Sequence, residues 1–300
     1  MSVPTLEPET VETEAICNMS SNAQGSAEAF LVQAALTYRA PAADIGAGGG
    51  AVRCGIDLGT DTVVLTLVES GPGQVRPVYY DSRKCEAVRD GVVVDFAGAV
   101  AATRELLRTA REVTGLPIDR GAAAYPPGVP VADARACRFV LEQAGIDCSA
   151  LVDEVSAAQA LLAVRDGVVV DVGGGSTGVG SYLDGELVRL GDLPGGGHHL
   201  DLILAGALQL SLAEAEAAKR ADSASYLQIL KPGIEKIASN IRALMSPDVA
   251  GPIHLTGGAI MVRGADRVIA NHLDRPVVLP PNALLATPFG IALSSPDPAT

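Results

Sequence analysis

Val168–Gly178, VVVDVGGGSTG, joins an apolar β-favouring run to an aspartate, three glycines and two hydroxyl side chains. Glycine at a strand end costs conformational entropy, but it lets the backbone approach a ligand closely with its N–H groups pointing outward. Phosphate is the ligand that such N–H groups most often bind. The stretch therefore predicts a strand, a phosphate-binding turn and a second strand, provided that the rest of the chain supplies a matching partner.

A similar strand–turn–strand pattern opens the first half of the chain. Gly55–Thr60, GIDLGT, follows an apolar run and precedes the β-favouring segment TVVLTLVES. Each half then continues with alternating helical and strand-like segments, which is the pattern of an α/β fold. The repeat predicts two related lobes, residues 51–165 and residues 166–300, with a ligand pocket between them and a C-terminal helix that is free to return to the first lobe.

The first fifty residues differ in composition from the rest. The opening MSVPTLEPETVETE is rich in Pro, Glu and Thr, which is typical of disorder. Ser26–Tyr38 places apolar residues on one helical stripe behind an N-capping serine, and residues 42–50, AADIGAGGG, have the composition of a flexible linker. The sequence therefore predicts residues 1–50 to be a disordered acidic extension that carries a short amphipathic helix.

Composition limits the partners of the protein. The formal net charge is −13, and both nucleic acid and an anionic membrane surface require a basic face instead. No apolar run approaches the roughly 18–20 residues of a membrane helix, and the acidic N-terminus does not resemble a secretory signal. The five cysteines are scattered without a C-x-x-C pair, as in a reduced cytosolic protein. We therefore expect a cytoplasmic protein with no nucleic-acid and no membrane partner.

Two aspartates at predicted strand ends, Asp57 and Asp171, would flank a polyphosphate held by both loops. Carboxylates beside phosphate charges require a cation, and Mg²⁺ keeps several of its waters in such sites. We predict that Asp57 and Asp171 hold Mg²⁺ through its hydration shell. Either loop alone could be a hairpin whose glycines relieve crowding, but two loops in order favour phosphate binding. The residues predicted to bind phosphate are Gly59, Thr60, Gly173, Gly174, Gly175, Ser176 and Thr177.

A third motif, IHLTGGA at Ile253–Ala259, completes a resemblance to the actin-like ATPase superfamily, which includes actin, the heat-shock ATPase chaperones, MreB, FtsA and sugar kinases. GIDLGT resembles the first phosphate loop, VVDVGGGSTG the second, and IHLTGGA the adenosine loop. The resemblance covers about residues 52–294. It implies a two-lobed, duplicated ribonuclease H-like fold behind a short N-terminal extension, with ATP and Mg²⁺ between the lobes.

The resemblance also implies catalytic roles. Leu151–Leu162, LVDEVSAAQALL, resembles the connecting segment of the superfamily. This places Glu154 near the attacking water, in a catalytic group with Asp57 and Asp171. Gly178 stands where the heat-shock chaperones carry an aspartate, so the resemblance implies only a weak Mg-dependent ATPase.

The nucleoside would be held by two further pairs of residues. Ala215–Lys219, AEAAK, resembles the Glu-x-x-Lys pair that contacts the nucleoside, which gives this role to Glu216 and Lys219. An i,i+3 ion pair on a solvated helix is the alternative on the sequence alone. Gly257 and Gly258 would let the adenine lie against the backbone.

Four longer phrases are similar to the ethanolamine-utilisation EutJ family within this superfamily. The family resemblance implies an ATP-binding chaperone or reactivating factor of ethanolamine-type bacterial microcompartment metabolism, with a protein client such as a cobalamin-dependent lyase. The phrases are RDGVVVDFAGAV (Arg89–Val100), YPPG (Tyr125–Gly128), PGGGHHLDLILAGA (Pro194–Ala207) and TPFGIALS (Thr287–Ser294).

Other functions stay open at this point. One is a nucleotide-bound scaffold with little or no turnover, and another is a small-molecule kinase with Asp133 as its candidate catalytic aspartate. The N-terminal helix also has three uses: residues 26–38 could dock to a microcompartment shell, pack on their own domain, or stay disordered.

Overall fold

Two five-stranded sheets with the same arrangement of strands form the body of the protein. The computed structural model describes residues 25–47, 49–71, 74–89 and 92–296, the side chains of residues 131–133 excepted. In each sheet three antiparallel strands lie on one side, and two strands parallel to the central strand lie on the other. The predicted two-lobed α/β fold is confirmed.

The first sheet is built around the strand that carries Asp57. Its order is β3-β2-β1-β6-β7, and β4 and β5 form a separate hairpin; the strands are β1 (Ala51–Leu58), β2 (Thr62–Gly71), β3 (Gln74–Lys84), β4 (Val88–Arg89), β5 (Val92–Val93), β6 (Arg120–Tyr125) and β7 (Asp147–Asp153).

The second sheet repeats this order around the strand that carries Asp171. The turn at Asp184–Gly185 between β9 and β10 has positive φ at both residues, 54° and 86°, as a two-residue type I′ hairpin requires. The order of the sheet is β10-β9-β8-β11-β12; the strands are β8 (Gly167–Val172), β9 (Ser176–Leu183), β10 (Glu186–Pro194), β11 (Ile253–Thr256) and β12 (Val277–Val278).

Helices cover both sheets, and their ends follow the capping residues of the sequence. Asp95 accepts a bond from the Gly98 N–H, 2.9 Å long, before the first helix of the first lobe, and that helix ends at Gly115 in the left-handed conformation. The helices are α1 (residues 25–35), α2 (Phe96–Thr114), α3 (Val131–Ala144), α4 (Glu154–Leu162), α5 (Gly197–Leu208), α6 (Leu212–Ala221), α7 (Leu227–Leu244), α8 (Ala265–Leu273) and α9 (Ala286–Ser294).

Two helices cross from one lobe to the other. Helix α4 follows β7 of the first sheet but packs against Val169 and Tyr182 of the second. Helix α9 follows the second sheet but packs on the first, where the Thr66 hydroxyl donates to the Pro288 carbonyl over 2.8 Å. The two helices touch each other at Gly290, where a side chain would overlap the Ala157 carbonyl. Close contact of α4 and α9 therefore ties the lobes together behind the cleft.

Helix α1 packs on this same body. The sequence predicts a helix over Ser26–Tyr38, and residues 25–35 form it, followed by a turn. Its stripe of Phe30, Leu31 and Ala34 is buried against Phe289 of α9 and neighbouring side chains. Of the three uses left open for the helix, packing on its own domain is the one that the structure shows.

Residues 42–47, in the predicted linker, are also held against the first lobe. The guanidinium of Arg76 donates to the carbonyls of Ala43 and Asp44, and the Gly46 N–H donates to the Glu69 carboxylate over 2.7 Å. The linker prediction for residues 42–50 is therefore wrong for 42–47, because side chains of distant strands fix a segment whose own composition suggests freedom. The predicted disordered segment at residues 1–24 lies outside the described residues.

Candidate functional site

A cavity of about 560 Å³ lies between the lobes, at the carboxyl ends of β1, β8 and β11. Ligands of open α/β sheets bind at this edge, because the loops that follow the strands converge there. The structure brings almost all of the predicted site residues into the cavity lining: Asp57, Gly59, Thr60, Glu154, Asp171, Gly173, Gly174, Gly175, Ser176, Glu216, Lys219, Gly257 and Gly258.

The two predicted phosphate loops have the same internal geometry. In the first, the Gly59 N–H donates to the Thr62 carbonyl over 3.0 Å; in the second, the Gly173 N–H donates to the Ser176 carbonyl over 3.0 Å. The loops face each other closely, since a Cβ added at Gly174 would lie 3.1 Å from the Thr60 side chain. A ligand that enters between the lobes therefore meets both turns.

A third glycine turn, Gly195–Gly197, supports the second loop and starts α5. The N–H groups of Gly195, Gly197 and His198 donate backbone bonds of 2.9 Å to the carbonyls of Gly175, Gly173 and Gly174. Those acceptors are thereby occupied, which removes partial negative charge that would otherwise repel a phosphate. Thr177 belongs to this support and not to the cavity lining: its buried hydroxyl donates to the Gly195 carbonyl over 2.6 Å.

Three carboxylates meet at the cavity, and the pKa of each is raised. Burial, and then the charge of Asp171, raises the pKa of Asp57 to about 7. Burial raises the pKa of Asp171 to about 6, against the opposing effect of a hydrogen bond from Thr287. Burial, followed by the charges of Asp171 and Asp57, raises the pKa of Glu154 well above its usual range. This accumulation of negative charge fits a divalent cation, which would favour the ionised forms.

A hydrated cation suits the donor set better than a directly ligated one. No group of three or more His, Cys, Asp or Glu side chains in the described part of the chain is spaced to hold a metal ion. Asp57 and Asp171 end the central strands of the two sheets and both reach the cavity. A carboxylate from each side fits the magnesium–water cluster predicted from the sequence.

Lys219 and Glu216 have partners that differ from the i,i+3 pair left open by the sequence. The Lys219 ammonium lies 2.7 Å from the Asp201 carboxylate and donates to the Gly197 carbonyl over 3.1 Å. Glu216 pairs with Arg220 of its own helix at 2.7 Å. Lys219 therefore holds the start of α5 in place, while Glu216 stays at the cavity edge.

Three residues at or beside the cavity were not among the predicted site residues. The Thr287 hydroxyl donates to Asp171 Oδ2 over 2.8 Å, and Asp201 holds Lys219. Asp192 lies directly across the β9–β10 pair from Gly178 and is hydrogen-bonded to Ser176. Each acts through a contact between distant segments, which local spacing does not encode.

The adenosine-loop residues differ in their surroundings. Gly257 has φ of +95°, and a side chain there would overlap the Asp171 carboxylate, so that glycine is required by conformation and by space. Gly258 is exposed, and a Cβ there would meet nothing within 4 Å. The backbone at Gly258 is thus open for a flat group to lie against it.

Curated proteins similar to this chain are ethanolamine utilization proteins. No protein-family model matches the chain. "Ethanolamine utilization protein EutJ" of Salmonella typhimurium is 36% identical over 241 residues, which is 80% of this chain and 84% of that protein. The EutJ protein of Escherichia coli is 36% identical over 246 residues, 82% of this chain and 86% of its own length.

Solved structures extend the comparison to the fold. The crystal structure of EutJ from Carboxydothermus hydrogenoformans has a TM-score of 0.74 at 35% identity and covers 81% of this chain and 89% of its own. MreB5 of Spiroplasma citri bound to ADP has a TM-score of 0.63 at 16% identity, and the likeness covers 80% of this chain and 94% of that chain. A chain of the PilM–PilN type IV pilus biogenesis complex has a TM-score of 0.68 at 16% identity, and the likeness covers 83% of this chain and 99% of that chain. The predicted actin-like two-lobed fold is confirmed.

The raised pKa of Asp57 predicts a pH-dependent effect of its removal. Because the unfolded-state pKa is about 3.9, ionisation of Asp57 in the ligand-free protein destabilises the fold progressively as the pH rises from about 4 to 7. Asp57→Asn should therefore increase the free energy of unfolding by on the order of 1 kcal/mol at pH 8, less than full linkage because the residue is only partly buried. Urea denaturation without nucleotide measures this.

The gain should be small at about pH 4, where the carboxyl is neutral in the folded state and still about half protonated in the unfolded state. Glu186→Gln, at an exposed position of β10, is the control and should change the free energy of unfolding little at either pH. A gain at pH 4 as large as at pH 8 would show that the substitution acts through packing and not through the charge of Asp57.

Proposed function

This chain belongs to the ethanolamine utilization protein EutJ family, and from that premise we propose that it binds Mg-ATP between its lobes and acts on a protein client according to its nucleotide state. The observation that carries the proposal is the pair of matching glycine turns, closed by the same 3.0 Å backbone bond, at one cavity. MreB5 structures of the same fold are bound to ADP and to AMPPNP, which supports a nucleotide as the ligand.

Each part of the nucleotide has a candidate binding surface in the cavity. The turns at Gly59–Thr60 and Gly173–Ser176 would bind the phosphates through N–H groups and the Ser176 hydroxyl. Asp57 and Asp171 would hold the waters of Mg²⁺, which supplies charge neutralisation at the phosphates when bound. The adenine would lie against Gly258, where the backbone is open.

Lys219 has a supporting role in this proposal. Its ammonium already holds Asp201 and the Gly197 carbonyl, so it positions the third glycine turn behind the phosphates. Glu216 lines the cavity at its edge and lies 3.9 Å from Lys84 of the other lobe. We assign to Glu216 the contact with the nucleoside.

The arrangement of carboxylates around the cavity supports slow hydrolysis of ATP. Glu154 begins α4 and lines the cavity, where it would orient and deprotonate the attacking water. Position 178 is a glycine and supplies no carboxylate. Asp192 lies opposite it on β10, is hydrogen-bonded to Ser176 and is not among the residues that line the cavity. We therefore propose an ATPase of low basal rate whose nucleotide state changes slowly enough to act as a signal.

The client is proposed from the family and not from the site. The relatives are ethanolamine utilization proteins by name, and the proposed role is that of a chaperone or reactivating factor for a cobalamin-dependent lyase in microcompartment metabolism. Docking of residues 26–38 to a microcompartment shell would require α1 to leave its own domain, because Leu31 and Ala34 are fully buried there.

A nucleotide-bound scaffold is the second candidate function. A chain of the same fold occurs in the PilM–PilN complex, where it is part of an assembly of proteins, and the likeness covers 99% of that chain. A kinase has less support, because its candidate catalytic residue, Asp133, lies within helix α3 and not on a loop. In the described part of the chain no helix is long and apolar enough to cross a membrane.

Gly258→Val tests nucleotide binding without disturbing the fold. The added side chain meets open space in the protein, so it would collide only with a ligand. We expect calorimetry to show Mg-ATP binding by the parent chain and at least about tenfold weaker binding by Gly258→Val, as for the loss of a well-packed contact surface. Gly71→Val, which is equally uncrowded at the end of β2, should bind like the parent. Equal affinity for all three proteins would remove the adenine from this position.

Glu154→Gln separates turnover from binding. The change removes the proposed base but keeps the shape, so phosphate release from ATP should fall by about 10²-fold while the Kd for Mg-ATP stays within about threefold. Glu142→Gln, an exposed change on α3, should alter neither. Adding a cobalamin-dependent lyase should raise the rate of the parent chain if it is a client. A Glu154→Gln protein with the parent's rate would exclude Glu154 from the reaction, and a chain without any phosphate release would favour the scaffold.

A further inference from the structure

We propose that Thr287 positions the Asp171 carboxylate for nucleotide binding, and that helix α1 sets this position by holding α9 from outside. This inference rests on the proposed function, since it concerns how the same site is regulated. It assigns a function to the N-terminal helix, which the nucleotide site itself does not use.

The contact between Thr287 and Asp171 joins a helix of one lobe to a strand end of the other. The Thr287 hydroxyl donates to Asp171 Oδ2 over 2.8 Å, and both side chains are more than nine-tenths buried. On the other side of the carboxylate the backbone of Gly257 lies so close that a Cβ would overlap Oδ1. Asp171 is therefore held from both sides. Of these two contacts, the one from Thr287 is a hydrogen bond donated by a side chain, and the one at Gly257 is close packing against the backbone.

The position of Thr287 depends on where α9 lies. Thr287 is the second residue of α9, and Phe289, two residues further, is fully buried. The Phe289 ring is in edge contact with Phe30 of α1, with centroids 5.4 Å apart, and with Tyr80 of β3 at 5.9 Å. A shift of Phe289 moves Thr287 with it, because less than one helical turn separates them.

Helix α1 is fastened to the first lobe just after it ends. The Tyr80 N–H donates to the Thr37 carbonyl over 3.1 Å, and the Arg39 N–H donates to the Tyr80 carbonyl over 2.9 Å. The Arg39 guanidinium pairs with the buried carboxylate of Asp81 at 2.5 Å, and the Tyr38 and Tyr80 rings lie 5.1 Å apart. These contacts fix one end of α1 to β3.

The other end of α1 reaches the second lobe. Ala27 is buried in one cluster with Val169 of β8 and Tyr182 of β9. In the middle of the helix, the Leu31 carbonyl accepts a bond from the Asn282 side chain over 3.2 Å, just before α9. Helix α1 thus spans both lobes across the back of α9, and Tyr80, which it contacts, lines the nucleotide cavity itself.

Docking of α1 and binding of nucleotide are therefore expected to be linked. With α1 in place, α9 is held between α1 and α4, and Thr287 holds Asp171 in the orientation that the bound cation requires. Release of α1 would let α9 shift and would weaken nucleotide binding. By thermodynamic reciprocity, nucleotide would strengthen the docking of α1 by the same factor. A partner that captured α1 would lower the affinity for nucleotide.

Calorimetry on the full chain with Mg-ATP tests the role of Thr287. Thr287→Val keeps the shape but removes the donor to a charged acceptor, so the Kd should rise about tenfold. Thr287→Ser keeps the hydroxyl and should bind within about twofold of the parent. The positioning role would be overturned if Thr287→Val bound Mg-ATP as tightly as Thr287→Ser or as the parent chain. In that case the side chain would act only through packing, which does not depend on the hydroxyl.

A double-mutant comparison tests whether α1 acts through Thr287. Phe30→Ala removes the ring that touches Phe289, whereas Val32→Ala changes a half-exposed residue of the same helix as a matched control. Phe30→Ala should raise the Kd several-fold and Val32→Ala should not. In a Thr287→Val background Phe30→Ala should add little further loss, because the contact through which it acts is already gone. Fully additive losses would overturn the coupling.

Hydrogen exchange without nucleotide separates this inference from the proposed function. Phe30→Ala should speed exchange of the backbone amides around Phe289 relative to Val32→Ala, and this readout needs no ligand. If the parent chain did not bind Mg-ATP, the proposed function would be wrong and exchange would still report whether α1 holds α9. Equal exchange in both variants would show that α1 does not hold α9 and would overturn the inference.

Discussion

The meeting of the Asp57 and Asp171 carboxylates at one cavity is the constraint on which the rest of the structure depends. Both end the central strand of a sheet, and burial raises the pKa of each, to about 7 and about 6. Ionised and without a cation, such groups weaken the fold at physiological pH, whereas a cation between them would stabilise their charge. The duplicated sheet order is what brings two equivalent strand ends to the same place.

The lobes that carry these carboxylates are tied by close helix packing. Gly290 lets α9 approach α4 without a side chain between them, and Thr287 at the start of α9 reaches Asp171 directly. The connection between lobes and the geometry of the site are therefore parts of one arrangement. Whatever moves α9 changes the site, and α1 is packed against α9 on its outer side.

Much of this fold could be predicted from the sequence, because glycine turns, capping residues and strand–turn–strand repeats are local signals. The site loops were predicted for the same reason, but Ser176 and Thr177 alternate across a strand, so one faces the cavity and the other the support behind it. By contrast, strand β7, DCSALVD, has few β-branched residues and no alternation of apolar and polar residues, so its sequence carries little local strand signal. Lys219 lies within a recognisable motif, yet its partner Asp201 is on a different helix. An apolar stripe such as that of α1 predicts burial, but the surface that buries it depends on the tertiary fold.

A crystal structure of the full chain with Mg²⁺ and AMPPNP tests the central claim most directly, because it locates phosphates, cation waters and adenine in one measurement. The account predicts phosphates between the turns at Gly59–Thr60 and Gly173–Ser176, cation waters on Asp57 and Asp171, and the adenine against Gly258. A nucleotide bound outside this cavity, or one whose phosphates touch a single loop, would contradict the account.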